Sequence, residues 1–170
     1  STDTFPIEKV IPGGSVPKYV AVTPDGRTVL VTNWCSWDLS VIDTATDTET
    51  ARIPLGGTYP RGIVVSPDSR TAYVALMGSD RLVTVDLATK AVATFAQPGD
   101  SPRHIVISPD AKYLYVSNNR SANVVKIDRA TGAILGAAHT GDQPRSVAIS
   151  SDGQAIYVVN YAAGSMSKVR

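Results

Sequence analysis

Short apolar runs, rich in Val, Ile and Tyr and cut every five or six positions by Gly, Pro, Asp or Asn, recur along the whole chain. Nowhere do apolar residues fall at the three-and-four spacing of an amphipathic helix, so the pattern is that of an all-β protein. One class of run stands out. Val20-Ala21-Val22, Ile63-Val64-Val65, Ile105-Val106-Ile107 and Val147-Ala148-Ile149 are apolar on consecutive residues and do not alternate. Such runs predict strands buried on both faces.

Each of these runs starts just after a Pro-plus-base pair: Pro17-Lys18, Pro60-Arg61, Pro102-Arg103 and Pro144-Arg145, spaced 43, 42 and 42 residues apart. The same period carries the turn residues Asp25, Asp68, Asp110 and Asp152. It also carries the second-strand segments Leu30-Val31-Thr32-Asn33, Tyr73-Val74-Ala75-Leu76, Tyr115-Val116-Ser117-Asn118 and Tyr157-Val158-Val159-Asn160. Third strands end in Ile42-Asp43, Val85-Asp86 and Ile127-Asp128. Agreement over so many positions marks a true internal repeat. Four short strands per repeat is the content of one blade of a β-propeller, with the doubly buried strand innermost. The shared turns, with Pro setting φ and Asp bonding the backbone beyond it, read as architecture.

The expected organisation is one all-β domain of four-stranded antiparallel blades: 17–59, 60–101, 102–143 and an incomplete 144–170. Residues 4–16 resemble a fourth strand, since Ile7 to Gly14 parallels Arg52-Ile53-Pro54-Leu55-Gly56-Gly57. They are expected to lie beside Ser165 to Arg170 and close the last blade, which removes the open sheet edge. Four blades would have to turn about 90° each, a steep angle for sheets of this size. The preferred reading is therefore two chains that swap their end strands into an eight-bladed ring; a self-closed four-blade ring and a piece of a longer propeller are the alternatives.

Composition narrows the partners. Sixteen basic residues face fifteen acidic ones, so net charge suggests neither nucleic acid nor an anionic membrane. No apolar run is long enough to insert in a bilayer. The lone Cys35 allows no internal disulfide and no cysteine-based zinc site. It reads as a small buried filler. The chain opens at Ser1 without a Met or a leader pattern, as expected of a processed product or an excised domain.

The Leu-Val-Thr-Asn, Tyr-Val-Ser-Asn and Tyr-Val-Val-Asn strands, together with the Ser-Pro-Asp and Asp-x-Ala-Thr turns, resemble the YVTN family of β-propeller repeats from Phe5 to Arg170. The resemblance implies a bacterial or archaeal extracytoplasmic protein (periplasm, cell surface or secreted) with a binding or scaffold role. The second repeat departs at Leu76, where the strand-end Asn is missing, so its loop is expected to be set differently.

Strand direction puts the Pro-base pairs and the loop after each second strand on one face. There Lys18, Arg61, Arg103 and Arg145 would ring the channel mouth as an electropositive collar for a carboxylate or phosphate. The opposing reading has each base paired to a neighbouring carboxylate or carbonyl, fastening blade to blade. Trp34 and Trp37 flank Cys35 in the most unusual loop; exposed aromatics suit a protein or glycan surface, or one ring plugs the channel. Tyr161 belongs to the same face. His104 follows Arg103 at the channel end and is a candidate proton donor, whereas His139 lies on an outer strand, so no metal pair is expected. Strand-end asparagines are expected to bond their own loops. No catalytic set, cofactor site or phosphate loop emerges. The expected function is a non-catalytic binding or scaffold module for a protein, glycan or small anion. A lactonase-like hydrolase using His104 and a structural segment of a surface-layer array stand as alternatives.

Overall fold

The computed structural model describes residues 6–170. It contains fifteen strands in four antiparallel sheets and, among the described residues, no helix. The first sheet holds β1 (Pro17–Val22), β2 (Thr28–Asn33), β3 (Asp38–Asp43) and β4 (Thr48–Pro54) in sequential order. The second holds β5 (Pro60–Val65), β6 (Thr71–Leu76), β7 (Arg81–Asp86) and β8 (Val92–Ala96). In the third are β9 (Pro102–Ile107), β10 (Tyr113–Asn118), β11 (Asn123–Asp128) and β12 (Ile134–His139). The last has only β13 (Pro144–Ile149), β14 (Ile156–Asn160) and β15 (Ser165–Val169).

The sheets stack face to face like a fan. β1 packs on β5, β5 on β9 and β9 on β13, so the first strand of each sheet forms the inner rim. Between the first two sheets lie Leu30, Leu39, Val41, Ile53 and Leu55 against Ile63, Val74, Leu76, Val83 and Val85. A second layer of Tyr73, Leu82, Ile105, Leu114 and Val116 joins sheets two and three. A smaller one around Val124, Val147, Ile156 and Val158 joins three and four. Burial therefore alternates along β6 and β7 toward both neighbours, which is why these strands read as continuous apolar runs.

The turns repeat as closely as the strands. Thr23, Ser66, Ser108 and Ser150 each donate a hydroxyl to the aspartate two residues on, at 2.5–2.6 Å. That aspartate accepts the N–H of Arg27, Arg70, Lys112 or Gln154. At the other end, Asp43, Asp86 and Asp128 each accept two backbone N–H groups and a threonine hydroxyl from the Asp-x-Ala-Thr turn.

Four expectations need correction. Residues 6–16 form no strand, and the last sheet keeps three ribs; residues 4 and 5 of the expected rib lie outside the described ones. Lys9 donates to the Thr46 carbonyl at 2.9 Å, which places the opening segment beside the first sheet and not beside β15. The inner strands pack in the order β1, β5, β9 and β13, and no comparable packing of β13 on β1 is seen, so no closed ring is evident among the described residues. For the same reason β1, expected to be buried on both faces, is largely exposed.

The strand-end asparagines also differ from expectation. Asn33 donates to Asp38 and Ser40, Asn118 to Pro98 and Asn123, and Asn160 to Ser165 and Ser167. Each reaches the start of the third strand of its sheet rather than the backbone of its own loop, and Asn118 also holds the linker ahead of β9 through Pro98. Leu76 does not disturb its loop, because its side chain is simply buried in the core. Cys35 is exposed, not a buried filler.

Candidate functional site

The loop following each second strand is tied to the residue before each inner strand by the same main-chain bond. Trp34 donates to Val16, Met77 to Tyr59, Asn119 to Ser101 and Tyr161 to Gln143, all at 2.9–3.0 Å. The accepting residues have φ between 51° and 58°, a left-handed turn that swings the chain onto the rim just ahead of the proline. These bonds put the bases and the loop aromatics on one face, as the strand directions require.

On that face the chemistry converges at Trp34. Its ring is stacked on Tyr59 with centroids 4.8 Å apart, and Trp37 meets Tyr59 edge-on at 6.4 Å. The Lys18 ammonium lies 5.6 Å from the Trp34 ring and the Arg61 guanidinium 5.3 Å from it. Arg145 lies over Tyr161 at 3.2 Å. Tyr59 was not singled out by sequence reasoning. The signal was its place directly before Pro60, in the slot that enters the collar.

The three collar arginines have no carboxylate partner among the described residues, whose ion pairs are Arg52 with Glu49 and Lys112 with Asp110. The buried Nε atoms of Arg61 and Arg145 donate to nothing. Burial first, then repulsion from Arg61 and Arg145, pulls the Arg103 guanidinium down to about 10. Burial likewise lowers Arg61, opposed by Tyr19 and helped by Arg145. Like charges have thus been gathered, half-buried, with donors to spare.

Fastening between sheets is done by other groups. Thr32 donates its hydroxyl to the Arg61 carbonyl at 2.8 Å, and the Ser101 N–H donates to Asp80 at 2.8 Å. Asn119 donates to the Pro144 carbonyl, and the Val147 N–H donates to Nδ1 of His104 at 2.9 Å. The ring of His104 also meets Tyr19, two sheets away, with centroids 5.2 Å apart. Gly62 lies between them in sequence order of the rim; a Cβ there would come 2.7 Å from the Arg103 carbonyl oxygen and 2.9 Å from the His104 Cα. His104 is held below its ordinary value, mainly by burial and then by the charges of Arg103 and Arg61. His139 sits on β12, the opposite edge of the same sheet from β9.

Four-stranded sheets stacked about an inner rim, with loop chemistry gathered at one end, define a β-propeller. The chain belongs to the YNCE-like beta-propeller family, whose model matches residues 20–169. No protein of curated function matches the sequence. Among solved structures, it is similar to Kuenenia stuttgartiensis hydrazine synthase at 27% identity and a TM-score of 0.85, over 94% of this chain and 47% of that one. A functionally unknown protein from Desulfotomaculum acetoxidans DSM 771 gives 18% identity and 0.77, over 93% and 56%. A Bacteroides uniformis ATCC 8492 protein described as a candidate 6-phosphogluconolactonase gives 21% and 0.70, over 94% and 58%. The chain spans about half the length of the solved propellers it matches.

Proposed function

We propose that this propeller segment is a non-catalytic binding and scaffold module, acting outside the cytoplasm, whose loop face takes an anionic group of a partner. One observation carries the reading: Arg61, Arg103 and Arg145 are drawn together without a carboxylate among the described residues. Gathering like charges in a half-buried place opposes folding, and a bound carboxylate or phosphate offsets that cost through charge-assisted bonds. The Trp34, Tyr59 and Trp37 cluster beside the collar supplies flat apolar contact for the rest of a protein or glycan partner.

A lactone-hydrolysing role would ask His104 to move a proton. Its Nδ1 is already committed to Val147, and the charges that shift its titration come from arginines, not from a carboxylate that would orient it as a base. The binding reading is tested by calorimetric titration with inorganic phosphate and with a tricarboxylate such as citrate. Saturable binding that weakens at least tenfold in Arg103→Ala supports it. Equal weak binding by the wild type and by an Arg61→Ala/Arg103→Ala double variant refutes it.

A further inference from the structure

Two exposed aromatic rings stand in backbone slots that rarely hold one. The residue before each inner strand and the fourth residue after each second strand have left-handed φ throughout the fan. Val16, Tyr59, Ser101 and Gln143 fill the first slot, and Trp37, Asp80, Ala122 and Gly164 fill the second. Bulky side chains are outliers in that region. Among the described residues Tyr59, at φ 55°, and Trp37, at φ 59°, are the only aromatic ones found there. Burial does not account for them, since they are 42% and 46% exposed. Strain held at an exposed side chain points to use rather than to packing.

The neighbouring loop is shaped around them. Gly78 occupies the slot that holds Cys35, Arg120 and Ala162 elsewhere, and a Cβ there would strike the Tyr59 ring and the Thr58 hydroxyl. With that side chain absent, Tyr59 has room to stack on Trp34 and to meet Trp37 edge-on. The shelf so formed sits where the first sheet meets the second, inside the fan. Lys18 and Arg61 border it, and neither is in an ion pair among the described residues.

The extent of the shelf fits a small ring better than a protein. A stable protein interface takes about 800 Å² from each partner, and here the aromatic surface soon stops. The next two loops present Gly78, Ser79 and Asp80, then Asn119, Arg120 and Ser121. The same break disfavours single-stranded nucleic acid, whose successive bases need successive stacking platforms. A pyranose matches the shelf. Its C–H face lies against an aromatic ring, and a carboxylate on the same sugar reaches the bordering cations by charge-assisted bonds.

We infer that the shelf of Trp34, Tyr59 and Trp37 binds a uronic acid residue of an acidic glycan. The sugar face lies on the exposed rings of Trp37 and Tyr59, and its carboxylate is held by Lys18 and Arg61. The inference rests on the reading of this face as an anion site and narrows it to one chemical class.

Trp34 and Trp37 are the only tryptophans of the chain, so intrinsic fluorescence reports this shelf alone. The test titrates the full chain with oligogalacturonate, its neutral methyl ester, oligoglutamate and oligothymidylate, with citrate binding followed by calorimetry on the same samples. Oligogalacturonate is expected to change the tryptophan emission saturably and to bind at least tenfold more tightly than the other three. Trp37→Ala and Tyr59→Ser each install the residue that the third repeat holds in that slot, Ala122 and Ser101, so the loops keep their support. Each should weaken oligogalacturonate at least tenfold and leave citrate within twofold. If citrate binds and oligogalacturonate does not, the inference falls and the anion reading stands; if neither binds, both fall. A methyl ester, peptide or oligonucleotide that binds within tenfold of oligogalacturonate, or a smaller loss in either variant, also overturns the inference.

Discussion

The backbone N–H of Val147 donates to Nδ1 of His104 at 2.9 Å, so a side chain of the third inner strand holds the fourth in place. Only the unprotonated nitrogen can accept. Below its ordinary value of 6.5 the histidine of the unfolded chain takes up a proton that the folded one resists. Stability is therefore highest above pH 6.5 and declines as pH falls from there toward the lowered folded value. His104→Ala should cost about 1–3 kcal/mol at neutral pH, from the N–H left without a partner. It should also flatten this limb of the pH profile. Urea unfolding at several pH values checks both.

Arg103 titrates near 10 in the folded chain. A bound anion favours the protonated guanidinium, so anion affinity should be full below that pH and fall as pH rises through it. Arg103→Lys should retain part of the affinity, as a point charge without the fork. Arg103→Ala, which removes one repelling charge, should leave the melting temperature unchanged or raised. Parallel calorimetric and thermal measurements separate these effects.

Gly62 is the one rim position where any side chain strikes backbone. A Cβ at 2.7 Å from the Arg103 carbonyl oxygen forces β5 away from β9. Gly62→Ala should destabilise by about 1–3 kcal/mol, the usual cost of overpacking, and should disturb the Tyr19–His104 contact. Thermal unfolding and the histidine ring shifts in NMR spectra report the two consequences.

Asp25, Asp68, Asp110 and Asp152 are all held below the ordinary carboxylate value of 3.8, chiefly by the neighbouring hydroxyl and then by a backbone N–H. Because the folded value is the lower one, the stability these turns supply is present above about pH 4. It is lost as pH falls through the lower folded values. An Asp68→Ala/Asp110→Ala variant should show a shallower acid-unfolding slope than the wild type, measured by circular dichroism below pH 4.

Strands, turns and the shared loop face were legible in the sequence because every repeat states them again. Pro60-Arg61, Pro102-Arg103 and Pro144-Arg145 could be laid side by side, and the structure puts each at the start of an inner strand. Closure was not legible. Ile7 to Gly14 has the character of a fourth rib, but residue character says what kind of strand a segment makes, not which sheet it joins. The company of the bases was hidden for a similar reason. A repeated slot shows that a charge is placed, while its partners depend on side-chain directions that the one-dimensional pattern lacks. Tyr59 escaped notice because the other repeats hold Val16, Ser101 and Gln143 there, so no shared residue type marked the slot.

The bonds from Trp34, Met77, Asn119 and Tyr161 back to the preceding linker use main chain alone. Four unlike side chains thus occupy one mechanical position without altering it. Loop identity is thereby uncoupled from loop support: transplanting the Trp34–Trp37 tetrapeptide into another repeat should carry the two indole rings around the rim while the supporting hairpin stays as it was.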